Sequence, residues 1–365
     1  MRILLATDAW EPQVNGVVRT LARTVAELRD MGCQVEIVEP AQFKTVPLPT
    51  YSEIKLAVGC YAAIQERLKL LEPEAIHIAT EGPIGLTTRR ICQEWKLPFT
   101  TSYHTRFPEY VSARLPVPLA AGYAYMRWFH KPSGRLMVAT PTMRRELEEH
   151  GFRNISQWTR GVDTELFNPA KRDAAPMFEG LARPIWLYVG RVAVEKNIEA
   201  FLNLDLPGTK VVVGDGPQRE DLIARHPEAV FPSWQFGDAL ARCYAQADVF
   251  IFPSLTDTFG LTILEAMAAG TPVAAFDAPG PADLIPGSGA GVLAKTEDEA
   301  GLKAACEEAL DLDRAAVRRY AEGFSWRASA EEFLRNLQPY PEPEKRRFWK
   351  RLKRLAALRR KASII

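Results

Sequence analysis

Residues 247–276 read ADVFIFPSLTDTFGLTILEAMAAGTPVAAF. Asp248 introduces a short apolar run, 249–252, bounded by Pro253, which predicts a fully buried strand. A loop follows at 254–260. Residues 261–269 are rich in Leu, Ile, Ala and Met, with Gly270 placed as a helix stop and Pro272 just beyond it. Residues 273–276 form the next buried strand. This is a βαβ unit of a parallel sheet, whose working edge is the carboxyl end of its strands. Within it the only ionisable side chains are Asp257 and Glu265. Unpaired buried charge costs several kcal/mol, so two carboxylates in an apolar crossover need an explanation. Asp257 lies in the loop after the strand and Glu265 one turn into the helix, where both can face a ligand over the sheet edge beside a positive helix end. Asp257 capping its own loop, with Glu265 paired to a distant arginine, is the competing reading.

Working outward, a strand at 185–189 opens a second region and runs into Gly190-Arg191-Val192-Ala193-Val194-Glu195-Lys196-Asn197. Arg191 and Lys196 beside a helix start can cradle a pyrophosphate; solvated surface charge explains them equally from the residues alone. The strand at 210–213 exits through the tight turn Gly214-Asp215-Gly216-Pro217. Neither glycine run is a Walker loop or a G-x-G-x-x-G. In the first half, strand 2–7 leads to a loop and to Gly16 at the start of helix 17–31, a phosphate-binding candidate or an ordinary turn. Residues 51–71 are predicted helical. Strand 99–102 runs directly into Tyr103-His104-Thr105-Arg106-Phe107-Pro108, putting His104 at a strand's carboxyl end. The other four histidines have no motif around them and read as structural. Residues 112–135 mix aromatic and basic side chains, including Arg114, Trp128 and Lys131, which suits a membrane interface, a lipid acceptor mouth or a plain amphipathic helix.

The segment 257–265 resembles the E-x7-E signature of retaining glycosyltransferases of family 4, here Asp257-x7-Glu265 with Phe259-Gly260 inside it. G-R-x-x-x-E-K-N at 190–197, H-T-x-F-P-x-Y at 104–110 and G-V-D-x-x-x-F-x-P at 161–169 resemble further elements of that family. The resemblance implies an α/β chain of GT-B architecture, two Rossmann-like domains facing across a cleft. It also implies donor contacts from Gly16, Arg191, Lys196, Gly214, Asp215, Phe259 and Gly260, and catalytic roles for His104, Asp257 and Glu265. The D-T-F-G version is similar to the branch holding sulfoquinovosyl-diacylglycerol synthases, diacylglycerol glycosyltransferases and related mannosyltransferases. Expected domains are 1–168 for the acceptor and 169–323 for the nucleotide-sugar, with a helix at 324–340 crossing back and a tail at 341–365.

Net charge is +1, yet 341–365 carries ten Lys or Arg against two Glu, leaving the rest of the chain at −7. Phe348 and Leu352 recur at helical spacing, Trp349 flanks them, and Lys350, Arg351, Lys353 and Arg354 surround them. This reads as a basic amphipathic helix for an anionic membrane surface. No nucleic-acid motif accompanies it. No apolar run approaches the ~18 residues of a spanning helix. Five scattered cysteines without C-x-x-C predict reduced thiols in a cytoplasmic protein, and the basic tail predicts a peripheral place on the inner membrane face. The expected reaction moves a glucosyl or glucuronosyl unit from a UDP-sugar to a lipid such as diacylglycerol, with retention. No cofactor and no metal are called for, because cations and helix ends neutralise the diphosphate and no D-x-D lies beside a cleft strand. The alternatives are a GDP-mannose-dependent α-mannosyltransferase acting on a phosphoinositide or polysaccharide, and a sugar-nucleotide epimerase.

Overall fold

The computed structural model describes residues 1–13, 15–48, 51–112, 116–341 and 348–352. Chain contacts divide it into two compact units: unit 1, 1–139 with 144–158 and 330–365, and unit 2, 140–143 with 159–329. In chain order the strands are β1 (Arg2–Ala6), β2 (Gln34–Val38), β3 (Lys44–Leu48), β4 (Tyr51–Val58), β5 (Ala75–Ile78), β6 (Thr100–Ser102), β7 (Arg135–Val138), β8 (Ile155–Gln157), β9 (Ile185–Val189), β10 (Thr209–Val213), β11 (Val249–Phe252), β12 (Val273–Ala275) and β13 (Gly291–Leu293). The helices are α1 (Gly16–Asp30), α2 (Tyr61–Leu71), α3 (Pro83–Trp95), α4 (Phe107–Ser112), α5 (Leu119–His130), α6 (Pro141–Glu149), α7 (Ile198–Leu202), α8 (Arg219–Arg225), α9 (Gly237–Gln246), α10 (Leu261–Ala268), α11 (Pro281–Leu284), α12 (Glu299–Ala309), α13 (Arg314–Ala321) and α14 (Trp326–Asn336).

Unit 1 is a six-stranded parallel sheet in the order β2-β1-β5-β6-β7-β8. Because side chains alternate across a strand, β1 feeds two cores. Leu4 and Ala6 join the cluster of Ile64, Leu68, Ile91 and Phe99 on one face, and Ile3 and Leu5 join Leu21, Val25, Trp158 and Phe333 on the other. His77 is wholly buried in that second layer, its ring nitrogens 2.9 and 3.1 Å from the Thr100 and Ser102 hydroxyls, a structural histidine.

Unit 2 is a five-stranded parallel sheet in the order β10-β9-β11-β12-β13. Trp186, Tyr188, Val212, Val249, Ile251 and Ala274 share one core with α7 and α12, while Leu187, Phe250 and Phe252 are buried on the opposite face. Asp248 ties the sheet's amino-terminal edge: its Oδ2 accepts the Ile185 N–H at 2.7 Å and its Oδ1 meets Arg172 at 3.0 Å and Arg183 at 2.6 Å. Burial pushes this carboxyl up, but the two guanidiniums and the Ile185 amide outweigh it and hold it below the usual range. Both units are Rossmann-like, as the sequence implies.

Three expectations need correcting. Residues 51–71 are not one helix: β4 pairs antiparallel with β3, and only α2 is helical. The loop 277–291 contains the short helix α11. Phe348 and Trp349 do not form a membrane-facing stripe. Trp349 is 3% exposed and packs edge-on to Trp95 at 6.4 Å, while Phe348 meets Trp95 and Tyr340. A helix presents the same apolar stripe to lipid or to a protein core, and here the core takes it. Lys350 and Arg351 stay exposed; Lys353 and Arg354 lie outside the described residues.

Trp349→Ala should therefore destabilise unit 1 by about 3 kcal/mol, read as a lower denaturation midpoint; an unchanged midpoint would return Trp349 to the surface.

Candidate active site

In unit 2 the carboxyl ends of β9, β10 and β11 converge. β9 exits into 190–197, where Val192 and Ala193 are buried and Arg191 and Lys196 are half-buried. This loop lies against the exit of β10: Val192 N–H donates to the Asp215 carbonyl at 2.9 Å and Gly190 N–H to that of Val213 at 3.0 Å. A Cβ on Gly214 would sit 1.9 Å from the Gly190 carbonyl oxygen, so only glycine allows the two exits to touch. Asp215 accepts the Gly216 N–H at 2.7 Å, which tightens the turn.

The loop after β11 joins the same edge. Ser254 and Thr256 hydroxyls donate to the Glu195 carbonyl at 3.3 and 3.2 Å, and the Asn197 amide donates to that of Pro253 at 3.2 Å. Across this seam Lys196 Nζ reaches both Asp257 carboxylate oxygens, at 2.7 and 2.9 Å. The side chains are 20% and 21% exposed, so the pair is screened less than a surface one. Phe259 is buried beneath. Gly260, at φ 88°, forms the N-cap of α10, with no side-chain cap bond and no acid in the first turn. The orphan N–H groups of α10 are thus left for an anion.

Glu265 lies one turn along α10, 5% exposed, and accepts a hydrogen bond from the Tyr244 hydroxyl at 2.9 Å. Tyr244, wholly buried on α9, is a residue that sequence reading missed. The unit therefore assembles Arg191, Lys196, Gly214, Asp215, Asp257, Phe259, Gly260 and Glu265 along one sheet edge, cationic on the β9 side and acidic on the β11–α10 side.

Unit 1 carries the others. Gly16 is exposed at the start of α1, whose Asn15 cap accepts the Val18 N–H at 3.0 Å. His104 follows β6, its ring edge-on to Trp158 at 5.5 Å. Arg106, paired with Glu109 at 3.3 Å and with Glu146, anchors the segment entering α4. Asp8, at the end of β1, was not foreseen as a cap. Its carboxylate accepts the N–H groups of Ile84 at 2.8 Å and Gly85 at 3.2 Å and the Thr80 hydroxyl at 2.9 Å, capping α3. Burial raises its pKa against the pull of those three bonds. On α5, Trp128 is 51% exposed and stacks under the Arg89 guanidinium at 4.0 Å. Phe107, Val117 and Leu119 are also exposed nearby in sequence, and so is Lys131. Arg114 lies outside the described residues.

Known proteins match most of this chain. Residues 14–166 match the model described as Glycosyltransferase Family 4, and 183–311 the one described as Glycosyl transferases group 1. A GDP-mannose-dependent alpha-mannosyltransferase of Mycolicibacterium smegmatis is 30% identical over 92% of this chain and 96% of its own. Sulfoquinovosyl transferase SQD2 of Arabidopsis thaliana is 30% identical over 75% of this chain and 59% of its own. Among solved structures, sucrose-phosphate synthase from Thermosynechococcus elongatus superposes with a TM-score of 0.75 at 19% identity, covering 92% of this chain and 97% of that one. Fold and relatives together define a GT-B enzyme that transfers sugar from a nucleotide-sugar. The chain belongs to glycosyltransferase family 4.

Tyr244→Phe should cost about 1–2 kcal/mol in urea unfolding, because it strips a donor from a buried carboxylate; an unaltered midpoint would show that the hydroxyl does not support Glu265.

Proposed function

We propose that the unit 2 edge binds the diphosphate of a nucleotide-sugar, that Asp257 and Glu265 fix the sugar and ribose hydroxyls, and that a hexosyl unit passes to a membrane lipid with retention. The observation that carries this is the Lys196–Asp257 pair standing beside the uncapped start of α10, with Glu265 one turn further on. Cleaving the sugar–phosphate bond builds positive charge on the sugar and negative charge on the departing diphosphate. Arg191, Lys196 and the α10 N–H groups stabilise the second without reorganising. The carboxylates, held by Lys196 and Tyr244, keep the anomeric carbon placed for an acceptor hydroxyl arriving on the same face. The family motif also assigns donor roles to His104 and Gly16.

A lipid acceptor, diacylglycerol above all, is supported by relatives named for glycolipid synthesis, among them the alpha-monoglucosyldiacylglycerol synthase of Streptococcus pneumoniae, 27% identical over 76% of this chain. It is supported too by the exposed Trp128, Phe107 and Leu119 with Lys131, which suit an interfacial contact at the cytoplasmic membrane face. No helix among the described residues is long and apolar enough to cross a membrane. The second reading, mannosyl transfer from GDP-mannose, draws on the mycobacterial relatives and stands level with the first for the donor.

Incubation with UDP-glucose, UDP-glucuronate or GDP-mannose and diacylglycerol vesicles, with products resolved by mass, separates them. Hexosyl- or uronosyl-diacylglycerol is the expected product; consumption of GDP-mannose alone selects the second reading, and no labelled lipid with any donor removes the lipid acceptor. Glu265→Ala should fall below about 1% of wild-type turnover while staying folded, its stability lowered by about 1–3 kcal/mol because the buried Tyr244 hydroxyl loses its acceptor. Lys196→Ala should raise the donor KM about tenfold, a loss of ~1.4 kcal/mol; a KM within twofold of wild type would take Lys196 off the diphosphate.

A further inference from the structure

At the other end of β11 from Asp257, a cavity of about 260 Å³ opens, lined by Arg172, Asp173, Phe178, Arg183 and Gln246 among others. Its wall is rigidly built. Gln246, 5% exposed, accepts the Met177 N–H at 2.7 Å and donates to the Ala175 carbonyl at 3.1 Å, fixing the segment that curves over it. Arg172 spends Nη1 on the Ala245 and Ala247 carbonyls at 3.0 Å and Nη2 on Asp248. Arg183 spends only Nη2, on the Gln246 carbonyl at 2.8 Å and on Asp248 at 2.6 Å. Among the described residues nothing accepts from Nε of Arg172 or from Nε and Nη1 of Arg183.

The charge around the cavity does not balance. Arg314, behind the same strand start, donates to the Ala247 and Ala245 carbonyls at 3.0 and 2.9 Å. Three guanidiniums therefore share the single inner carboxylate Asp248, with Asp173 on the exposed rim. Outside them Lys171 and Arg242 share Asp238. Of these groups Arg172, Arg183 and Asp173 line the cavity itself, so the crowding of guanidiniums lies mostly behind the wall. Its cost is visible at Arg314, whose pKa falls to about 10 through burial, with Arg172 and Arg183 pushing the same way and Asp248 opposing. The Arg172 and Arg183 side chains are 36% and 51% exposed, so their remaining N–H groups stand open at the cavity mouth.

We infer that this cavity binds a phosphate-bearing anion, inorganic phosphate or a small phosphate ester, at a place separate from the nucleotide-sugar residues. A phosphate monoester carries about −1.5 to −2 charges at neutral pH and three acceptor oxygens for the remaining N–H groups of Arg172 and Arg183. Phe178 and Pro176 give the ester's carbon chain an apolar wall.

The test is thermal unfolding of the full chain with inorganic phosphate or with glycerol 3-phosphate, against potassium chloride at equal ionic strength. Wild type and Lys196→Ala should both rise by about 2–4 °C in saturating anion. Arg183→Gln should lose most of that rise. Ala174→Glu, which sets a carboxylate on the cavity's exposed lip without touching the Asp248 knot, should lose all of it and serves where Arg183→Gln does not fold. A larger rise with glycerol 3-phosphate than with phosphate assigns the site to an ester, and equal rises assign it to phosphate itself. A rise matched by chloride, or one lost in Lys196→Ala and kept in Arg183→Gln and Ala174→Glu, overturns the inference.

Discussion

The seam between the β9 and β11 exits is the constraint on which unit 2 depends. Lys196 and Asp257 lie 61 residues apart in the chain, yet their ion pair closes a joint already laid down by the Glu195 and Pro253 carbonyls, which accept from the Ser254 hydroxyl and the Asn197 side-chain amide. Were the pair isolated on the surface it would contribute under about 1 kcal/mol. Half-buried and flanked by hydrogen-bonded loops, it fixes a cation and an anion side by side before any ligand arrives. In the proposed reaction one partner serves the departing phosphate and the other the hydroxyls of the sugar left behind. Glu265 extends the acidic side into the interior, where Tyr244 keeps the carboxylate solvated by protein in place of water.

Much of this was legible in the sequence because the relevant signals are local. A buried strand, a loop with one acid and a helix with another can be read from 30 residues, and the GT-B class follows from the same motifs. Tyr244 was not legible: its role depends on α9 packing against α10, and a tyrosine in an apolar helix looks like any other core aromatic. Asp8 was missed for a related reason. Its partners are amides 76 and 77 residues further on, so no spacing rule points to it.

The two larger misreadings share a cause. Residues 51–58 alternate as well as cycle, and the sheet partner that decides between strand and helix is β3, a non-local choice. Residues 348–352 show an amphipathic pattern that demands a cover for Phe348 and Trp349 without saying which. Trp95 and Tyr340 supply it. Periodicity reports that a face must be buried; only the fold reports against what.

Unit 1 begins and ends the chain, with unit 2 inserted between its parts. Its second core is not complete until Ala330, Phe333 and Leu337 pack onto Ile3, Leu5 and Trp158. On the ribosome the first 158 residues therefore emerge with this core covered by α1 but lacking its α14 contribution while 159–329 is made. The inserted unit, its own strands and helices contiguous, has everything it needs to fold first. Unit 2 can therefore complete its core before unit 1 does, although unit 1 begins to be made first.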